Sequence, residues 1–132
     1  MVLASQVDGP AFVVLVAEDE PLIRSVAIEA LTDAGFVVVE ARHAEDALGI
    51  LAAQNDGVHV LFTDVHMPGA MDGLELAHHT REHWPWIAVL VASGYARPKR
   101  DEIPAGSRFL AKPYSLDAMV SHIRELVGAS PP

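Results

Sequence analysis

Residues 58–68 read Val-His-Val-Leu-Phe-Thr-Asp-Val-His-Met-Pro. Val58 to Thr63 is a short, nearly continuous apolar run rich in β-branched and aromatic side chains, the pattern of a strand covered on both faces. It ends on a carboxylate, Asp64, ahead of a turn at Met67-Pro68-Gly69. Four comparable runs flank it: Phe12 to Ala17, Phe36 to Glu40, Ile87 to Ala92 and Arg108 to Ala111. Amphipathic segments separate them. In the first, Pro21 suits an opening helical turn, Leu22, Val26, Ala30 and Leu31 form an apolar stripe, and Gly35 closes the helix. Ala44, Ala47, Leu48 and Leu51 repeat the stripe, and a third helix spans about 72–83 before Trp84-Pro85. The last helix has Ser115 as its cap, then Leu116, Met119, Val120, Ile123 and Val127, with Gly128 as its stop. Residues 95–105 carry Pro98 and Pro104, so the helix expected there is short or irregular, and mobile. Strict alternation of strand and helix predicts an α/β fold: a doubly wound, five-stranded parallel sheet with helices on both faces.

The 132 residues have room for one domain, expected over 12–128, with a flexible N-terminal tail at 1–11 and a short C-terminal tail at 129–132. A net charge of -9 argues against nucleic acid as a partner, because binding to a phosphate backbone depends on Lys and Arg. The absence of cysteine excludes disulfides, thiolate metal sites and thiol nucleophiles. The run Ala11 to Ala17 is far short of the roughly 20 residues that span a bilayer, and the first ten residues lack a basic region followed by an apolar core. A cytoplasmic protein without a membrane partner is expected.

In doubly wound sheets ligands bind beyond the carboxyl ends of the strands. Strand one ends in Glu18-Asp19-Glu20, strand three in Thr63-Asp64, strand four in Ser93-Gly94 and strand five in Ala111-Lys112-Pro113. Four carboxylates and one ammonium are therefore expected to converge. Clustered carboxylates repel one another, and an oxygen-seeking divalent cation resolves the conflict. Magnesium, with manganese as a substitute, uses one or two carboxylates beside a phosphate and leaves Asp64 to act as nucleophile. Lys112 would pair with the anion, and the Ser93 hydroxyl would donate to a phosphoryl oxygen. Singly, each feature has an ordinary explanation: a helix cap, a turn aspartate, a loop pair, a solvated lysine. Their meeting at one end of successive strands is the signal.

The segments Val14-Leu15-Val16-Ala17-Glu18-Asp19-Glu20, Thr63-Asp64-Val65-His66-Met67-Pro68, Ala92-Ser93-Gly94-Tyr95 and Phe109-Leu110-Ala111-Lys112-Pro113 together resemble the response regulator receiver family. The resemblance covers about residues 12–128. It implies the flavodoxin-like strand order 2-1-3-4-5 and transfer of a phosphoryl group to Asp64 from a sensor histidine kinase or histidine phosphotransfer protein. It also implies magnesium at Asp19, Asp64 and the backbone carbonyl of His66, with Glu18 acting largely through water. In this family the residues matching Ser93 and Phe109 shift together, changing a face formed by helix four, strand five and helix five that a downstream protein reads. His66 and Tyr95 match positions that tune how water reaches the aspartyl phosphate. A homodimer is compatible with the sequence. The activity implied is that of a two-component phosphoacceptor without an output domain, not an enzyme, with only self-phosphorylation and autodephosphorylation.

Two departures stand out. The loop Met67 to Gly73 is one residue longer than the family's commonest form, and Phe109 lacks a ring hydroxyl, so a switch there rests on packing. A magnesium-dependent phosphohydrolase would need the same nucleophile, metal and lysine, but would place a second carboxylate two residues after Asp64, where His66 stands. A receiver that binds without phosphorylation is disfavoured by the complete set of acceptor, carboxylates, hydroxyl and lysine. His43, His78, His79, His83 and His122 are expected at the surface or partly buried, and Trp84 and Trp86 as packing residues.

Overall fold

The computed structural model describes residues 11–94 and 102–129. The expected tails at residues 1–10 and 130–132, Tyr95, and most of the irregular segment at 95–105 lie outside the described residues. Five strands, β1 (Val13–Ala17), β2 (Val37–Ala41), β3 (Val60–Asp64), β4 (Ala88–Ser93) and β5 (Arg108–Ala111), form one parallel sheet in the order β2-β1-β3-β4-β5. The helices described are α1 (Pro21–Asp33), α2 (Ala44–Gln54), α3 (Gly73–His83) and α4 (Leu116–Ala129), the last being the one expected after strand five.

The sheet carries a core on each face because its strands are apolar on both sides. Leu15, Leu61, Val89 and Val91 point to one side, where Leu51 of α2 and Leu76 of α3 meet them. Val14, Val16, Val60, Phe62 and Leu90 point to the other, against Leu31 of α1 and Met119 and Ile123 of α4. Alternation along each strand thus assigns neighbouring residues to different cores.

Caps mark the helix starts. Asp72 and Glu75 form a reciprocal capping box on α3, His43 Nδ1 accepts from the Asp46 N–H on α2, and Ser115 Oγ accepts from the Ala118 N–H as expected. The end of α1 falls where Gly35 was expected to close it, with the Phe36 N–H donating to Leu31.

Several boundaries and faces differ from expectation. The last helix continues through Ala129, so Gly128 is no stop: it remains within the helix rather than turning the chain out of it. On α1 the buried face is Ala27 and Leu31, whereas Leu22 is 75% exposed and Val26 39%. The apolar stripe is wider than the core it faces, and the sheet covers only its inner edge. A 3-10 turn at Asn55–Gly57 delays β3 to Val60, leaving Val58 buried but outside the strand. Trp84 packs against the α2/α3 core as expected, while Trp86 is 54% exposed with its Nε1–H bound to the Asn55 carbonyl. Among the described residues no helix is long and apolar enough to cross a membrane.

Candidate functional site

The strand order reverses between β1 and β3, which opens a crevice at their carboxyl ends. Glu18 and Asp19 leave β1 directly into it, and Asp64 is the last residue of β3. Carboxylate oxygens of Glu18, Asp19 and Asp64 lie within 4.8 Å of one another. Glu20 is not part of this group among the described residues: it is exposed, serves as the N-cap position of α1, and donates its backbone N–H to Glu18 Oε2 at 3.1 Å. The convergence is thus of three carboxylates rather than four. A helix turning away from the sheet carries the third acidic side chain of the triplet out of the crevice.

Lys112 enters from β5. Its Nζ lies 3.0 Å from Asp64 Oδ2 and 3.2 Å from Glu18 Oε1, with the lysine as donor to both. To reach Asp64 the side chain passes the end of β4 beside Gly94, where a Cβ would make ordinary contact with Lys112 Cβ at 3.4 Å. The lysine backbone is held by its N–H bond to the Ser93 carbonyl at 2.9 Å, and the Lys112–Pro113 peptide bond is cis.

The electrostatics follow from this packing. Burial pushes the Glu18 carboxyl above its ordinary range, and the Asp64 charge adds to that, against the opposing pull of the Glu20 N–H and Lys112. Burial works against the Lys112 ammonium, but its hydrogen bonds and charge contacts with Asp64 and Glu18 outweigh it and raise its pKa. Tyr114, packed edge-on against Phe62, has its hydroxyl pKa raised by burial.

The remaining expected residues lie around this centre. Ser93 is 2% exposed at the end of β4, paired in register with Ala111 beside Lys112. Phe109 is half-buried on β5 opposite Val91, and His66 is exposed two residues beyond Asp64. His79 and His83 stack at the surface of α3, their ring centroids 3.9 Å apart, while His78 Nε2 bonds the Glu102 carbonyl at 2.7 Å.

Supporting residues went unnoticed in the sequence. Arg24 binds the Glu18 carbonyl through Nη1 at 2.9 Å while its Nε meets Glu40 at 3.0 Å, tying α1 and β2 to the acidic corner. Its only sequence signal is a lone arginine one turn into α1. Gly73 passes so close to β3 that a Cβ would overlap the Asp64 carbonyl oxygen, and its N–H donates to Val65 at 2.8 Å.

Comparison with known proteins agrees with this geometry. Residues 14–124 match the family model described as the response regulator receiver domain. The chain belongs to the response regulator receiver family. It is 35% identical over 127 residues to the sensor kinase CckA of Brucella abortus, covering 94% of this chain but 13% of that protein. It is 31% identical over 121 residues to the response regulator receiver protein CpdR of the same organism, covering 89% of this chain and 98% of CpdR. Among solved structures, a response regulator receiver protein from Sinorhizobium medicae superposes with a TM-score of 0.85 at 26% identity, covering 90% of this chain and 96% of that one. The response regulator TrrA from Thermotoga maritima, in complex with Mg(2+)-BeF, superposes at 0.79 with 26% identity, covering 87% of this chain and 98% of that one. The expected five-stranded receiver sheet and its strand order are thereby established, and the three carboxylates, Ser93 and Lys112 all lie at its carboxyl edge.

Proposed function

We propose that this receiver accepts a phosphoryl group on Asp64 from a sensor histidine kinase or histidine phosphotransfer protein, with Mg2+ bound beside it. The observation that carries the reading is the contact of one ammonium, Lys112 Nζ, with both Asp64 and Glu18 inside a cluster of three carboxylates.

The donor set fits a hard divalent cation. When all are ionised, three carboxylates face one ammonium and leave two negative charges without a protein partner in the cluster, and Glu18 already resists ionisation through burial. Asp19, Asp64 and the His66 carbonyl would hold Mg2+, with Glu18 acting through water; Mn2+ satisfies the same oxygen ligands. When bound, the ion neutralises charge on the incoming phosphoryl oxygens.

In the transfer itself an Asp64 carboxylate oxygen forms a bond to phosphorus as the P–N bond of the donor phosphohistidine breaks, and the departing imidazole takes up a proton. Lys112, already bonded to Asp64, follows the charge onto the phosphoryl group. Ser93 offers its hydroxyl at the adjoining strand end. Ser93 and Phe109 then carry the state to the face that includes β5 and α4, where a downstream protein binds. His66 and Tyr95 set how readily water reaches the acyl phosphate. The carboxylate-lysine corner opens onto an apolar groove between α1 and the β5–α4 connection, lined by Leu22, Ile23, Val26, Tyr114 and Leu116. A protein donor whose imidazole reaches Asp64 past Lys112 must cover that groove.

Incubation with acetyl phosphate and Mg2+, followed by intact mass measurement, tests the acceptor. One phosphoryl adduct is expected on the parent chain and none on Asp64→Ala. An equal adduct on the variant would overturn the assignment.

A further inference from the structure

The loop from Val65 to Gly73 leaves the acceptor strand directly, and its two ends are tied by the Gly73 N–H to Val65 carbonyl bond. Between those ends Pro68, Gly69 and Ala70 are exposed while Met67 is buried and Met71 half-buried, and the extra residue of this loop lies between Pro68 and Asp72. Glu45, in the first turn of α2, reaches across to it: Oε2 accepts from the Ala70 N–H at 2.8 Å and from the Met71 N–H at 3.2 Å. Among the described residues no other hydrogen bond reaches residues 67–71.

Gly69 provides an independent sign that carboxylate and loop fit one another. Its φ is +116°, a region that disfavours side chains, and a Cβ there would stand 2.9 Å from both Glu45 carboxylate oxygens. The Glu45 carboxyl is held below its usual range first by its own backbone N–H and, against an opposing effect of desolvation, also by the N–H groups of Ala70 and Met71. His43 Nδ1, 3.5 Å from Glu45 Oε1, already accepts from the Asp46 N–H, so beyond Glu45's own N–H the hydrogen-bond partners of this carboxylate are the two loop amides.

We propose that Glu45 is a positioning residue of the acceptor site, clamping the β3–α3 loop from α2 so that the backbone after Asp64, including the His66 carbonyl, is held in metal-binding geometry. This rests on the magnesium reading above. A longer loop has more conformations to lose when a backbone carbonyl must meet a cation, and two charge-assisted hydrogen bonds restrict it beforehand. Groups bonded directly to metal ligands change metal affinity by about 10- to 100-fold when removed, and Glu45 acts one step further out, on the Ala70 and Met71 amides. An exposed clamp belongs at or below the lower end of that range.

The test compares the wild type with Glu45→Ala and Glu45→Gln by three measurements: hydrogen exchange of the Ala70 and Met71 amides without metal, Mg2+ affinity by calorimetric titration, and thermal midpoint. Glu45→Ala is expected to speed exchange at both amides and weaken Mg2+ binding by about 3- to 10-fold, with the thermal midpoint little changed. Glu45→Gln keeps a carbonyl acceptor without the charge and recovers about half of both effects, neutral hydrogen bonds being roughly half as strong. Unchanged exchange and affinity in Glu45→Ala would overturn the clamp. Equal losses in Glu45→Gln and Glu45→Ala would assign the effect to charge instead of positioning, and overturn it too. A wild type that does not bind Mg2+ would sink the magnesium reading and this role with it, while the exchange data separately report whether Glu45 holds the loop.

Discussion

Asp64 ends β3 and Lys112 directly follows β5, so the whole width of β4 separates them, and only a long, flexible side chain crosses that gap. Arginine would bring a planar fork in place of the compact point charge that two carboxylates share here. In the absence of a cation Lys112 is the positive charge that Asp64 and Glu18 share, so its removal leaves the corner more anionic. Lys112→Ala is therefore expected to keep or tighten Mg2+ binding while slowing phosphorylation by acetyl phosphate at least about tenfold, the scale of a lost transition-state charge contact. Titration with Mg2+ and time-resolved intact mass check the two halves separately. Parallel loss of both would mean that the lysine maintains the shape of the site.

At the scale of elements, α1 buries only part of the face its periodicity suggests: Ala30 and Leu31 meet the core, and Leu22 and Val26 do not. Ala27 and Leu31 go inward, and Leu22, Ile23 and Val26 remain in water beside the acceptor corner. A charge at Leu22 should cost the fold little because the side chain is 75% exposed. Leu22→Glu is expected to slow transfer from a phosphorylated histidine protein several-fold and leave acetyl phosphate labelling unchanged. Equal transfer rates would show that the donor approaches elsewhere. The capping box of α3 makes a second prediction at this scale. Asp72→Ala removes the acceptor for the Glu75 N–H, and should lower unfolding free energy by about 1 kcal/mol in denaturant titration.

For the whole molecule, the sheet divides two cores, and β3 lies at its centre between β1 and β4. Leu61 is fully buried in one core while its neighbours Val60 and Phe62 fill the other. Leu61→Ala leaves a cavity that rigid neighbouring strands cannot close, and a loss of about 2–5 kcal/mol is expected from chemical denaturation. Asp64 ends the same strand, so the proposed acceptor stands on an element whose residues are all buried.

Apolar runs such as Val58 to Thr63 were sufficient by themselves to determine five strands, of which the central β1, β3 and β4 are buried along nearly their whole length while the edge strands β2 and β5 are partly exposed. Ending those runs on Glu18-Asp19, Asp64, Ser93 and Lys112 also determined which residues gather, because parallel strands in one sheet deliver their ends to one edge. Interactions between distant segments were not legible there. That Glu20 turns away, that Leu22 and Val26 stay in water, and that the last helix runs through Gly128 depend on where each helix rests against the sheet. Arg24 on the Glu18 carbonyl and Glu45 on the Ala70 and Met71 amides are side chains meeting backbone, which no residue pattern records. Only the folded chain decided those, because a backbone amide presents the same hydrogen-bonding group whatever residue carries it.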